Sequence, residues 1–286
     1  MSSFSERSAG LRKVYRTLRK TYGKQTFDPA DDVAMELLRF ILTEETDQVS
    51  VDKVLRRFEQ EFVDLNEIRV SFPREIAEAM PEVSHAEQKA SRLTRVFNAI
   101  FLSHNTMTWD FLRTMGVREL RQYFEKIDGG GDVLGAAAVM LLSSGHAVPA
   151  DTDVSRVLER LALTAEGEDT AALQAFLERA VTREQGYETW ALLHRLAEAV
   201  CLPTKPQCKK CSLKAMCPTA KEALAPKKPA ARTAKAGGGK SSTKAAGKGK
   251  GTKKASSIRT TAKVSRKKKS SASTSKKSAK ATKRKK

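Results

Sequence analysis

Cys201, Cys208, Cys211 and Cys217 are the only cysteines of a 286-residue chain, and they fall within seventeen residues at gaps of six, two and five. Four thiolates gathered in one loop can ligate a metal ion, carry an iron–sulfur cluster or pair as disulfides. A structural zinc site of four cysteines usually splits into two short Cys-x2-Cys knuckles set far apart, and this run has one such knuckle, Cys208 to Cys211. Disulfides suit an oxidising compartment, yet the segment MSSFSERSAGLRKVYRTLRK lacks the apolar core of a secretory signal. The loop also carries Lys205, Lys209, Lys210 and Lys214, a density of cations that suits contact with phosphates.

Two other places have chemistry in them. In KIDGGGDVLGAAAVMLL, Gly129, Gly130 and Gly131 stop one helix and open the next. Glycine allows positive φ and leaves the amides of the new helix N-terminus uncovered, an arrangement that favours an anion such as a DNA phosphate. Further along, AVPADTDVSRVL sets Asp151 just ahead of a helix, behind apolar residues and a proline. A partly buried carboxylate facing a cleft is expected there; the plainer role is a helix cap.

The elements that must position these groups are helical. Val33, Leu37, Leu38 and Ile41 fall on one stripe, as do Leu93, Val96, Phe97, Ile100 and Phe101. Residues 108–127 hold two short helices broken near Gly116, and 132–144 is apolar almost all round, the signature of a buried central helix. Helices are also expected over 153–163 and 188–200, and Leu11, Val14, Tyr15 and Leu18 predict a docked N-terminal helix. Convincing alternating strands are absent, so the fold class is all-α. The net charge of +20 is unevenly spread: 24 of the 53 basic residues and one of the 33 acids lie from Lys221 onward, leaving 29 bases against 32 acids before it. Residues 221–286 are Lys, Ala, Ser, Gly and Thr with few large apolar side chains, so a disordered tail that engages a polyanion is expected. No apolar run is long enough to cross a membrane. The reading is a soluble monomer with no membrane partner, cytoplasmic and nucleoid-associated in a bacterium rather than nuclear.

Glycine hairpin, aspartate before a helix, and Cys-x6-Cys-x2-Cys-x5-Cys follow one another in an order that resembles the endonuclease III family of helix-hairpin-helix DNA glycosylases. FILTEETDQVSVDKVLRRF and SHAEQKASRL are similar to two of its earlier segments, so the likeness spans about residues 30–220. It implies a [4Fe–4S] cluster on the four cysteines and two helical lobes: a six-helix barrel over 35–145 with its hairpin at 121–144, and an iron–sulfur lobe made of the N-terminal helix (1–34) plus 146–220. It implies double-stranded DNA carrying a damaged or mismatched base in the groove between them, bent, with that base flipped out. Gly129, Gly130, Gly131, Glu45, Lys205, Lys209 and Lys210 would contact the DNA, and Asp151 would be catalytic.

The chain also departs from the family. The lysine nucleophile of bifunctional members falls at Val133, which has no atom able to form a Schiff base. Lys126 lies on the preceding helix and is expected to point elsewhere. Gly130 replaces an apolar residue, which predicts a loosened hairpin, and Asp132 adds negative charge beside the expected phosphate. The family's glutamine that fills the hole left by the flipped base falls at or near Glu45, and Asp153 stands where a histidine is common. Monofunctional relatives also lack the lysine. The leading reading is therefore a base-excision repair protein, a monofunctional DNA N-glycosylase using Asp151 and water, with AP lyase activity weak or lost. The alternative is a catalytically degenerate member that binds bent or damaged DNA without excision. A redox or iron-sensing module is a third class, for which the sequence offers no electron partner. Removing the basic tail should flatten the dependence of duplex affinity on salt concentration, measured by titration from 50 to 200 mM salt; an unchanged slope would mean the tail engages no phosphates.

Overall fold

The structure, a computed structural model, describes residues 3–28, 32–143, 145–165 and 167–225. The expected disordered tail lies outside the described residues from 226 onward. Among the described residues there are thirteen α-helices, two short 3-10 turns and no strand. None of the described helices is long and apolar enough to cross a membrane.

In chain order the helices are α1 (Phe4–Tyr22), α2 (Val33–Thr43), α3 (Gln48–Glu61), α4 (Leu65–Val70), α5 (Pro73–Glu78), α6 (Ala86–His104) and α7 (Phe111–Thr114). Then come α8 (Val117–Lys126), α9 (Asp132–Leu142), α10 (Thr152–Arg160), α11 (Thr170–Ala180), α12 (Gly186–Ala199) and α13 (Pro218–Leu224). Aspartate starts many of them: Asp32, Asp47, Asp64, Asp151 and Asp169 each accept a backbone N–H from the first turn of α2, α3, α4, α10 and α11. Each such carboxylate satisfies an amide the helix leaves unpaired and complements the positive end of its dipole.

Two groups of helices emerge from the packing. Helix α9 lies between α8 and α2, and α6 receives α2, α4 and α5. The apolar surround of α9 explains its place: Leu134, Ala136, Ala137, Ala138 and Val139 are fully buried, and the run of small side chains lets neighbouring helices approach closely. In the other group, α12 packs against α1 and α10, and α10 also meets α13. Leu11, Val14 and Leu18 form the buried stripe of α1. At its start Arg7 is buried too, donating to Leu163 O at 2.9 Å, pairing with Glu168 at 2.6 Å and lying 3.8 Å over the Phe176 ring. Helix α13 runs to Leu224, past the expected tail boundary at 220, so a clean removal of the tail begins after Ala225.

The α8–α9 connection is a tight hairpin. Gly131 N–H donates to Phe124 O at 2.7 Å and Gly130 N–H to Ile127 O at 3.1 Å, while Gly129 (φ +79°) and Gly131 (φ +93°) occupy backbone that other residues rarely adopt. Arg92, from α6, donates to Gly129 O at 2.9 Å and to Gly130 O at 3.2 Å. The loosened loop expected from Gly130 is therefore not what forms: a Cβ at that position would sit 2.0 Å from Phe124 O, so glycine is what lets the turn close onto the α8 C-terminus. Gly130→Ala should cost about 2 kcal/mol in urea unfolding, because the clash is with backbone rather than with a movable side chain. A loss below about 0.5 kcal/mol would mean the turn is as loose as its composition suggested.

Candidate functional site

Asp151 ends the connection from α9 and caps α10, its Oδ1 accepting the Val154 amide at 3.0 Å. Its other oxygen is taken by α12. Trp190 Nε1–H donates to Oδ2 at 2.8 Å, and His194 Nε2 lies 2.8 Å from the same atom. Trp190 and His194 are four residues apart, so one face of α12 presents both. Asp151 and His194 are each only 5% exposed. Burial opposes charge on both groups, yet each is shifted toward its charged form. Attraction to His194, aided by hydrogen bonds from His194, Val154 and Trp190, holds Asp151 below the usual carboxylate range. Attraction to Asp151 and Asp153 raises His194 above the usual imidazole range.

This cluster separates two cavities. On one side Asp151 borders a cleft of about 590 Å³ together with Gly130, Gly131 and Val133 of the hairpin. Val133 thus shares a cleft with Asp151, and no lysine lines it; Lys126 is exposed at the end of α8. Four carboxylates (Glu44, Asp132, Asp151, Glu159) face two guanidinium groups (Arg92, Arg156) around it. On the other side Trp190 and His194 line a pocket of about 270 Å³ with Phe40 and Tyr187. The Phe40 and Trp190 rings stack at 5.7 Å, and Tyr187 packs 5.9 Å from Trp190.

The α2–α3 turn is locked to this site by charge. Glu45 has φ +51° and donates its amide to Asp153 Oδ2 at 2.6 Å. Its carboxylate is held by Arg156 at 3.3 Å and His85 at 2.9 Å, so the charge expected to meet DNA is already paired within the protein. Glu44, one residue earlier, is the carboxylate that lines the cleft, where it accepts from the Thr152 hydroxyl and lies 3.8 Å from Arg92. Beneath the turn, buried Lys89 donates to Leu42 O at 2.8 Å, to Thr46 Oγ1 at 3.1 Å and to Glu44 O. Burial pulls its amine down to about 8, against the opposing pull of Glu44, Asp153 and Glu45. With three acceptors engaged at the C-terminal end of α2, Lys89 serves the helix end and not the cleft.

The four cysteines converge beside α10. Cys201 Sγ accepts from Arg160 at 3.3 Å, Cys211 Sγ from Leu213 N–H at 3.4 Å, and Cys217 Sγ from Ala220 N–H at 3.4 Å. Donors aimed at sulfur stabilise bound thiolates. Without such a group, burial and the neighbouring sulfurs push the Cys211 and Cys217 thiols up. The four thiols sit close enough for each to be felt electrostatically by its neighbours, and the set could hold a metal group through Cys201, Cys208, Cys211 and Cys217. Lys205, Lys209, Lys210 and Lys214 are all exposed on this loop.

The structure brings Asp151 together with Gly130, Gly131 and Val133. It leaves Glu45 one wall away and the loop lysines on the cysteine side. Trp190, His194, Glu44, Lys89, Arg92 and Arg156 carry the site's contacts and had not been singled out; the one local hint was Trp190 and His194 on a single turn of an amphipathic helix.

No family model and no curated protein matches the chain. Among solved structures, a trapped endonuclease III–DNA covalent intermediate superposes with a TM-score of 0.58 at 17% identity, covering 78% of this chain and 100% of that one. A thermostable thymine-DNA glycosylase superposes with a TM-score of 0.53 at 19% identity, covering 75% of this chain and 98% of that one. Identities this low speak for architecture alone, and the architecture is specific: the chain has the fold of endonuclease III and the helix-hairpin-helix DNA glycosylases.

Proposed function

We propose that this protein is a monofunctional DNA N-glycosylase of base-excision repair. The observation that carries the reading is Asp151: a buried carboxylate kept ionised at the wall between an open cleft and an aromatic pocket. The neighbours of this fold are described as an endonuclease III–DNA covalent intermediate and a thymine-DNA glycosylase, which supports DNA as the partner. The pocket of about 270 Å³ has room for a flipped base between aromatic walls that include Tyr187 and Trp190.

In this reading the bond between C1′ and the base breaks with its electron pair leaving on the base, which takes up a proton from solvent water. Positive charge then develops on the sugar, and a fixed anion in a water-poor site stabilises it strongly. Three of the roughly four acceptor sites on the Asp151 carboxylate are filled by Val154, Trp190 and His194, which leaves one for the cleft side. Water adds to C1′, and its proton passes to Asp151. Val133 offers no amine for a covalent sugar intermediate, so excision would stop at an abasic site.

Phosphate would be held on the hairpin side of the cleft, where Gly130, Gly131 and Asp132 line it. The first amides of α9 carry no side-chain cap, and the exposed loop lysines extend the cationic surface. The four cysteines would hold a [4Fe–4S] cluster that fixes this loop in shape. Supporting that choice are their spacing and the N–H donors aimed at three of the sulfurs.

Excision from a panel of lesion and mismatch duplexes tests the proposal. Strand breaks should appear only after alkali, and Asp151→Asn should slow base release by about 100-fold or more, with duplex binding retained. Breaks without alkali would mean another amine attacks the sugar. Binding without excision of any duplex would favour the DNA-holding alternative, which the acid-lined cleft and the missing lysine also suit.

A further inference from the structure

We infer that His194 is a positioning residue for Asp151: an imidazolium clamped between the Asp151 and Asp153 carboxylates, keeping Asp151 ionised and fixed at the cleft wall. The inference rests on the proposed role of Asp151 and adds a group that does not touch the cleft itself.

The geometry of the ring carries it. Nε2 lies 2.8 Å from Asp151 Oδ2, and Nδ1 lies 3.8 Å from Asp153 Oδ2. Nδ1 is fully buried and makes no hydrogen bond. Either neutral tautomer would turn a lone pair toward a carboxylate oxygen. A proton on Nε2 alone leaves the Nδ1 lone pair facing Asp153; a proton on Nδ1 alone sets the Nε2 lone pair against Asp151 at hydrogen-bonding distance. Only the doubly protonated ring offers an N–H to each side. The two carboxylates have other partners, but these do not replace the histidine. Asp153 takes the Glu45 amide and the Arg156 guanidinium, while Asp151 otherwise has two neutral donors, Trp190 and the Val154 amide. His194 is thus the one cation in contact with Asp151 among the described residues.

Other charges near the ring do not reverse this balance. Arg195 and Glu198 come from α12 itself, and Glu36 and Arg39 of α2 face it across the aromatic pocket. Glu198 is pushed up by its own burial, against the attraction of His194 and Arg195. On α10 the charged neighbours are Asp151, Asp153 and the Arg156 bound to Asp153.

The pH window follows from the two directions. Because His194 is raised, the pairing is complete below the ordinary imidazole value near 6.5 and is lost as pH rises through the raised value. Because Asp151 is lowered, its share is lost only as pH falls through a value below 3.8. Excision should therefore decline on the alkaline side through loss of the His194 proton.

The chain has four histidines, so side-chain nitrogen NMR can follow each one in the intact, cluster-loaded protein, with His194→Gln making the assignment. His194 should carry protons on both nitrogens at pH 7, and Asp151→Asn should bring its titration down. A neutral His194 at pH 7, or one indifferent to Asp151→Asn, overturns the inference. In single-turnover excision at saturating enzyme, His194→Gln should cut the rate by about 10-fold to 100-fold and should remove the alkaline decline. An unaltered rate and pH profile overturns the positioning role. Absence of excision in the parent protein would sink the proposed activity, while the nitrogen spectra still decide the pairing.

Discussion

Buried carboxylates must be matched, and in this protein the matches converge on the first two turns of α10. Asp151 and Asp153 are both almost wholly inside, and an unpaired charge there would cost several kcal/mol. Asp151 is matched by α12 through Trp190 and His194; Asp153 is matched by Arg156 and by the amide of Glu45 in the α2–α3 turn. Arg156 also donates to Cys201 O, and Arg160, one turn further, holds the carbonyls of Cys201, Leu202 and Pro203. One nine-residue helix therefore ties the turn after α2, the wall of the cleft and the start of the cysteine loop into a single charged framework.

The same framework sets the electrostatics of the cleft. With four carboxylates to two guanidinium groups, the cleft wall is poorly suited to attract a polyanion by itself. Much of the negative charge is compensated internally, since Glu45 is spent on Arg156 and His85 and Glu44 leans on Thr152 and Arg92. Long-range attraction for nucleic acid would have to come from the exposed lysines of the cysteine loop and the basic segment after it, and the cleft would act after contact is made. Attraction and chemistry are then properties of different surfaces of one chain.

Much of the fold could be read from local pattern. The stripes in α1, α2 and α6, the apolar surround of α9 and the break near Gly116 all correspond to observed helices, because burial imposes a 3.6-residue period on sequence. Short helices such as α4 and α5 carry too few turns to show one. Within the site, Asp151 was legible because it caps a helix at a recognisable distance from the glycine hairpin. Its partners were not: Trp190 and His194 are 39 and 43 residues away, and the Glu45–Asp153 contact spans 108. Such pairings arise from packing of whole helices and leave no local trace. Gly130 shows the opposite failure. Its missing side chain suggests looseness when read alone, but in place the absence of a Cβ is what permits the turn to close.

The two tryptophans divide the molecule between them. Trp109 is buried edge-on against Phe97, with ring centres 5.0 Å apart, far in sequence from any titrating group of the site. Trp190 has its ring 4.4 Å from the His194 imidazole and its N–H on Asp151. A protonated imidazole is an efficient quencher of indole emission, whereas an apolar aromatic neighbour is not. With His194 protonated as inferred, Trp190 would be the dimmer of the two fluorophores, and an alkaline rise in emission would report loss of the proton beside Asp151 with no label and no substrate.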